Sequence, residues 1–118
     1  MEAHVFRNRS PLLTVWLPIL LWAGLIFTLS SIPSLHSGLG TWDLILRKCA
    51  HVTEYAILTF LLRRALAAPW AAGVAFLYAC SDEYHQSFVV GREGRPRDVA
   101  IDTIGIIIGL LAARKVLR

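Results

Sequence analysis

Apolar residues in this chain gather into four long blocks separated by short polar stretches. The blocks run from Leu12 to Leu29, from about Trp42 to Leu62, from about Pro69 to Val90, and from about Asp98 to Ala113. Each approaches the ~20 residues that an α-helix needs to cross a hydrocarbon layer about 30 Å thick. Residues Ser30 to Thr41 are rich in Ser, Pro, Gly and His and read as a loop. Gly91 to Arg97 reads as another, and Arg63-Arg64 closes the second block. Pro69 suits a helix start. Pro18, inside the first block, predicts a kink of the sort that membrane helices tolerate. The first and fourth blocks are clean, whereas the second and third are polar enough for a hydropathy scan to miss or shorten them. The chain has no internal repeat and no low-complexity tract.

Composition turns this pattern into a statement about solvent. Of 118 residues, 56% are hydrophobic and 17% charged, with a mean hydropathy of +0.57. One domain, 1–118, is the limit at this length. A soluble core of that size leaves too much surface exposed to hide so many apolar groups. The expected fold class is therefore all-α, an integral membrane bundle of four transmembrane helices. Arg7 and Arg9 before the first block would also suit a signal peptide. The apolar run is longer than the usual ~7–15 residues and has no small-residue cleavage site, so an uncleaved helix is expected. Cys49 and Cys80 lie in apolar runs without CxxC spacing and read as packing residues, a disulfide between them remaining the alternative.

Charge sets the orientation. The net charge of +4 could suggest nucleic acid. The basic residues instead sit at block ends and form no single patch, so the expected partners are membrane lipids and not nucleic acid. With four spans, the N-terminus, the Arg63-Arg64 turn and the C-terminus share a side. That side carries Arg7, Arg9, Arg63, Arg64, Arg114, Lys115 and Arg118 against Glu2 alone. The positive-inside rule then makes both termini cytoplasmic. Arg92, Arg95 and Arg97, in a loop this topology puts outside, run against the rule.

The chemistry-bearing residues then fall at one depth. His51 and Glu54 lie in the outer half of the second helix, Asp82, Glu83, His85 and Gln86 in that of the third, and Asp98 and Asp102 in that of the fourth. At 100° per residue, Arg47, Lys48, His51, Glu54 and Tyr55 share one arc. Tyr78, Asp82, His85 and Gln86 share another, flanked by Glu83. Asp98, Asp102, Gly105 and Gly109 form a stripe whose GxxxG spacing permits close helix approach. A charge at the bilayer centre costs roughly 2.5–3.5 kcal/mol, so such groups must pair or line a wet cavity. Mutual salt bridges that merely hold the bundle are the plain reading. An outward-facing site is the sharper one. Asp82-x-x-His85 and the inverted His51-x-x-Glu54 resemble metal-binding spacings of carboxylate bundles, and a divalent metal held by Glu54, Asp82, His85, Asp98 and Asp102 is one expectation. Proton transfer by a histidine–carboxylate pair is another. Arg92, Arg95 and Arg97 could clamp a phosphate or simply attract anionic lipid.

Three ordered motifs then become recognisable. Lys48-x-x-His51-x-x-Glu54-Tyr55-Ala56-x-Leu58, Ser81-Asp82-Glu83-x-His85-Gln86-x-Phe88 with Gly91-Arg92, and Asp98 to Gly105 and Gly109 closely resemble the VanZ-like family. The resemblance covers roughly Leu44 to Leu111, with Tyr84 where an aliphatic residue is common. The first block, ending Ser30-Ser31-Ile32-Pro33, is similar to the family's opening helix. The resemblance implies a multi-pass protein of the bacterial plasma (inner) membrane. It also implies a cell-envelope setting, one relative being linked to low-level resistance to the glycopeptide teicoplanin. It marks His51, Glu54, Asp82, Glu83, His85, Gln86, Arg92, Asp98 and Asp102 as the signature but supplies no reaction.

Two functions compete. In the first, an enzyme acts on a lipid-linked or phosphorylated envelope precursor. His51, Glu54, Asp82, Glu83 and His85 are its catalytic candidates, and Lys48, Gln86, Arg92 and Arg95 hold the substrate. In the second, a non-catalytic envelope protein binds lipid headgroups, a glycopeptide or a partner protein. A transporter fits less well, because the inner half of the bundle has no polar relay.

Overall fold

A computed structural model describes residues 12–31, 41–89 and 96–117. Among them are four α-helices and no strand. A π-helical turn, Leu12–Trp16, leads into α1 (Leu17–Ser31), followed by α2 (Thr41–Arg63), α3 (Ala68–Gln86) and α4 (Pro96–Val116). At 1.5 Å per residue, the 23, 19 and 21 residues of α2, α3 and α4 make rods of about 28–35 Å. One segment, Leu13–Ser31 with 19 residues, is long and apolar enough to cross a membrane by length and composition. The polar residues of the other helices lower their apolarity.

Contacts between helices fix the directions. His51 of α2 meets Asp102 of α4, and Gly105 and Gly109 of α4 pack on Val52 and Ala56 of α2. These two helices therefore run the same way. Tyr55 of α2 meets Asp82, near the far end of α3, so α3 runs opposite, as the short turn between Arg63 and Ala68 requires. Tyr78 bonds to Ala23 and Gln86 to Ser30, which makes α1 parallel to α3. The bundle goes up, down, up, down.

α1, α2 and α4 extend past the expected boundaries, whereas α3 stops at Gln86, short of the expected Val90. Ser30 and Ser31, expected in a loop, belong to α1; the Ser31 hydroxyl donates to the Phe27 carbonyl at 2.8 Å, satisfying itself within the helix. Pro69 sits in the first turn of α3, where a missing N–H costs nothing. Pro18, where a kink was expected, lies in the first turn of α1, just after the π-helical turn. Pro18 has no N–H for the Thr14 carbonyl, and that carbonyl accepts from the Arg64 guanidinium across the helix pair. The expected loops over 32–40 and 91–95 lie outside the described residues.

Each interior helix face changes character along its length. On α3, Ala71, Ala75 and Ala79 are wholly buried at four-residue spacing, and the same face continues into buried Asp82, Glu83 and Gln86. On α2 the order reverses, from half-buried His51 to buried Tyr55, Leu58, Thr59 and Leu62. On α4, buried Asp102 gives way to Gly105, Ile106, Gly109 and Ala113. Antiparallel alternation stacks the polar ends together and the apolar ends together.

Gly105 and Gly109 hold α4 against α2. A Cβ on Gly105 would collide with the Val52 carbonyl, and one on Gly109 would sit 2.5 Å from the Ala56 oxygen and 2.8 Å from Thr59 Cβ. Outside the bundle, Leu20, Leu21, Trp70, Leu77, Ile104 and Leu111 point away from the helices and are exposed. Cys49 and Cys80 are free and exposed, not packed within the interior as their apolar surroundings suggested.

Candidate functional site

The polar end of the bundle brings ionisable groups from three helices into contact. His51 Nδ1 donates to Asp102 Oδ1 at 2.9 Å, joining α2 to α4. The Asp102 side chain has no solvent exposure, while that of His51 retains 16%. Glu83 of α3 closes the group: one ligand-type atom from each of His51, Glu83 and Asp102 lies within 4.8 Å of the others. The second Asp102 oxygen, Oδ2, is buried with no hydrogen-bond partner among the described residues. A buried carboxylate in so apolar a setting is tolerated only when its charge is met. His51 meets it on one oxygen.

Beside this group runs a chain of hydrogen bonds centred on Asp82. The Tyr55 hydroxyl donates to Asp82 Oδ2 at 3.3 Å. Gln86 Nε2 reaches the same oxygen at 3.5 Å and donates to Ser30 Oγ at 3.3 Å. Tyr55, Asp82, Gln86 and Ser30 are all buried. Asp82 thus meets neutral donors from its own helix and from α2, while a carboxylate oxygen of neighbouring Glu83 lies within 4.8 Å of His51 and Asp102.

His85 occupies a third environment. Its ring stacks on Phe27 of α1, with centroids 4.4 Å apart and planes 7° from parallel. Its Nε2 lies 3.5 Å from Ser31 Oγ, and its buried Nδ1 has no hydrogen-bond partner among the described residues. Lys48 and Glu54 are half-buried on α2, the Glu54 carbonyl accepting from the Trp22 indole at 2.8 Å. Asp98 lies in the first turn of α4, where a carboxylate favours the positive end of the helix dipole. Arg92 and Arg95 lie outside the described residues.

Of the metal set expected from spacing, Asp102 is the member found in the three-residue group. His51 and Glu83, expected as catalytic residues, complete it. The expected set also drew on three helices, but through Glu54 and the Asp82–His85 pair, where the structure brings His51 and Glu83 to Asp102. The serines of α1 escaped the sequence reading because Ser-Ser-Ile-Pro resembles a loop. Their signal is positional, since Ser30 stands four residues beyond buried Ile26 on the same helical face.

Chemically, the group offers one imidazole and two carboxylates in a sheltered setting, the makings of a proton-transfer pair or of a cation site. The fold and site together define a class: an α-helical bundle with an apolar exterior and a buried ionisable cluster at one end. A family model described as VanZ/LLP1 matches residues 15–118, and the chain belongs to that family. No curated protein and no solved structure matches it.

Proposed function

We propose that this chain is a multi-pass protein of the bacterial inner membrane, with four spanning helices and both termini cytoplasmic. Its polar end is an outward-facing site that acts on the anionic headgroup of a lipid-linked or phosphorylated envelope substrate, in the setting linked to glycopeptide (teicoplanin) resistance. His51, Glu54, Asp82, Glu83 and His85 work on the substrate, and Lys48, Gln86, Arg92 and Arg95 hold it.

Three features support the membrane reading. Large apolar side chains cover the exterior. The exposed hydroxyls of Thr28, Ser31, Thr53 and Ser81 bond back to carbonyls of their own helices at 2.8–2.9 Å, the partners they would need where water is absent. Arg63, Arg64, Arg114 and Lys115 collect at the end opposite the carboxylates, as the positive-inside rule expects of a cytoplasmic face.

The site reading is carried by one observation, the meeting of His51, Glu83 and Asp102 from three helices inside an apolar bundle. Leucine and glycine would hold such helices together at lower cost, so the ionisable group points to function. The test is to incorporate the purified protein into lipid nanodiscs and offer long-chain polyprenyl phosphates and diphosphates. Release of inorganic phosphate or a transferred headgroup is expected. A folded protein inert toward this whole class would end the reading.

The Asp82 network favours a second reading, a non-catalytic envelope protein that binds a headgroup, a glycopeptide or a partner protein. Tyr55, Gln86 and Ser30 tie Asp82 to two other helices in the manner of a structural linchpin. Glu54→Gln and Asp82→Asn separate the two. Folded, substrate-binding and inactive variants support catalysis, whereas unfolding of both supports the structural role.

A further inference from the structure

We propose that His51, Glu83 and Asp102 bind a divalent transition-metal cation, each helix of the α2–α3–α4 core supplying one ligand. The inference deepens the site reading above and rests on it for the headgroup's location, but not for the binding of the ion itself.

The first argument is ligand chemistry. One imidazole nitrogen and two carboxylate oxygens form a mixed set that suits zinc, manganese or iron. Three protein ligands also leave coordination positions for water or a headgroup oxygen. The second argument is geometry. Bonds of about 2.0–2.2 Å to such an ion place neighbouring ligand atoms roughly 3 Å apart. His51 Nδ1 and Asp102 Oδ1 already stand at 2.9 Å. The cation takes the place of the proton between them, which leaves on binding while the imidazole keeps its hydrogen on Nε2. The third atom, within 4.8 Å, closes the remaining distance through rotation of the Glu83 side chain, the longest of the three.

The third argument concerns Asp102 alone. Its side chain has no exposure, and Oδ2 is buried with no hydrogen-bond partner among the described residues. An oxygen in that state is costly to the fold and ready for a cation. Two buried carboxylates and a neutral imidazole carry a charge of −2, which a dication cancels. The glycines make the arrangement rigid, since Gly105 lies one turn below Asp102 and lets α4 press onto α2 at Val52. Ligands held on packed helices need little reorganisation on binding.

Calorimetry on the full chain in detergent, stripped with chelator, tests this with Zn2+, Mn2+ and Mg2+ each added alone. About one Zn2+ or Mn2+ per chain is expected, with Mg2+ weaker. Glu83→Gln and Asp102→Asn each weaken binding by about a hundredfold or more, since even groups behind the ligands are worth 10–100-fold. A Cys49→Ser/Cys80→Ser protein retains the site, which excludes zinc held by the exposed thiols. Should Asp102→Asn fail to fold, His51→Asp supplies the second readout. An all-oxygen site shifts preference toward Mn2+ and Mg2+ over Zn2+, a change that a purely structural role does not produce. Absence of stoichiometric binding to folded protein, or binding that survives the ligand variants unchanged, overturns the inference. Metal binding without turnover of any headgroup substrate upholds it and overturns the enzymatic reading instead.

Discussion

The two ends of this bundle use the same helices for opposite purposes. At one end, α2 and α3 meet through Leu58, Leu62, Ala71 and Ala75, with Arg63 half-buried and donating to the Leu66 carbonyl and Arg64 exposed beside the turn. At the other, the same helices meet through His51, Tyr55, Asp82 and Glu83. The apolar end holds itself together by shape, since small alanines let the helices approach and leucines fill the gaps. The polar end must satisfy each buried donor and acceptor, and one failure there costs more than a lost methyl group. The contrast teaches that the polar end is specified by chemistry and the apolar end by volume.

Deleting one side of the ionic contact should break this comparison most severely. His51→Leu strands the Asp102 charge in a site with no solvent exposure, and removing one member of a buried pair costs about 3–5 kcal/mol. Reversible unfolding in mixed micelles by SDS titration would register that loss. The double variant His51→Leu/Asp102→Leu should recover most of it, because apolar replacements of buried ion pairs are often neutral or better. If the double variant were as unstable as the single one, stranded charge would not explain the polar end.

Close packing ranks next. Gly109→Leu drives a side chain into the Ala56 carbonyl and Thr59, an overpacking worth about 1–3 kcal/mol. Gly73→Leu, with nothing within 4 Å of its Cβ position, should leave the same unfolding curve nearly unmoved. Equal effects at the two glycines would show that the α2–α4 contact is not what they report. Tyr55→Phe comes third, at about 1 kcal/mol, because it removes one 3.3 Å hydrogen bond from Asp82 and leaves Gln86 in place.

Legibility in the sequence follows the same division. The four helices, their polarity and the burial of the Asp102–Gly105–Gly109 stripe could all be read from period and block length. Those features are set within one helix at a time. Two spans were expected to fall below a hydropathy threshold, but α4, expected to be clean, falls below it as well. Among the described residues Leu13–Ser31 alone passes, since α4 carries Asp98, Asp102, Arg114 and Lys115. Pairings between helices were not legible, because rotation and relative height decide whether Glu83 or Asp82 meets His51. Adjacent residues on α3 differ by 100°, enough to send one carboxylate to a histidine and its neighbour to a tyrosine. The exposed cysteines make the same point. Apolar surroundings identify a helix facing lipid as readily as one facing a core.

The smallest effect belongs to the apolar end, at the contact between Arg64 and the first helical turn of the chain. Pro18 leaves the Thr14 carbonyl without its usual helical N–H, and the Arg64 guanidinium donates to that oxygen. Arg64 is exposed, so solvent can replace much of what it gives, and Arg64→Gln should cost only about 0.5 kcal/mol. Pro18→Ala restores the missing donor and should make Arg64→Gln smaller still. The double-mutant cycle therefore isolates the coupling. A large loss from Arg64→Gln, comparable with that from His51→Leu, would mean that the basic end also depends on a buried polar contact, and the division between the two ends would dissolve.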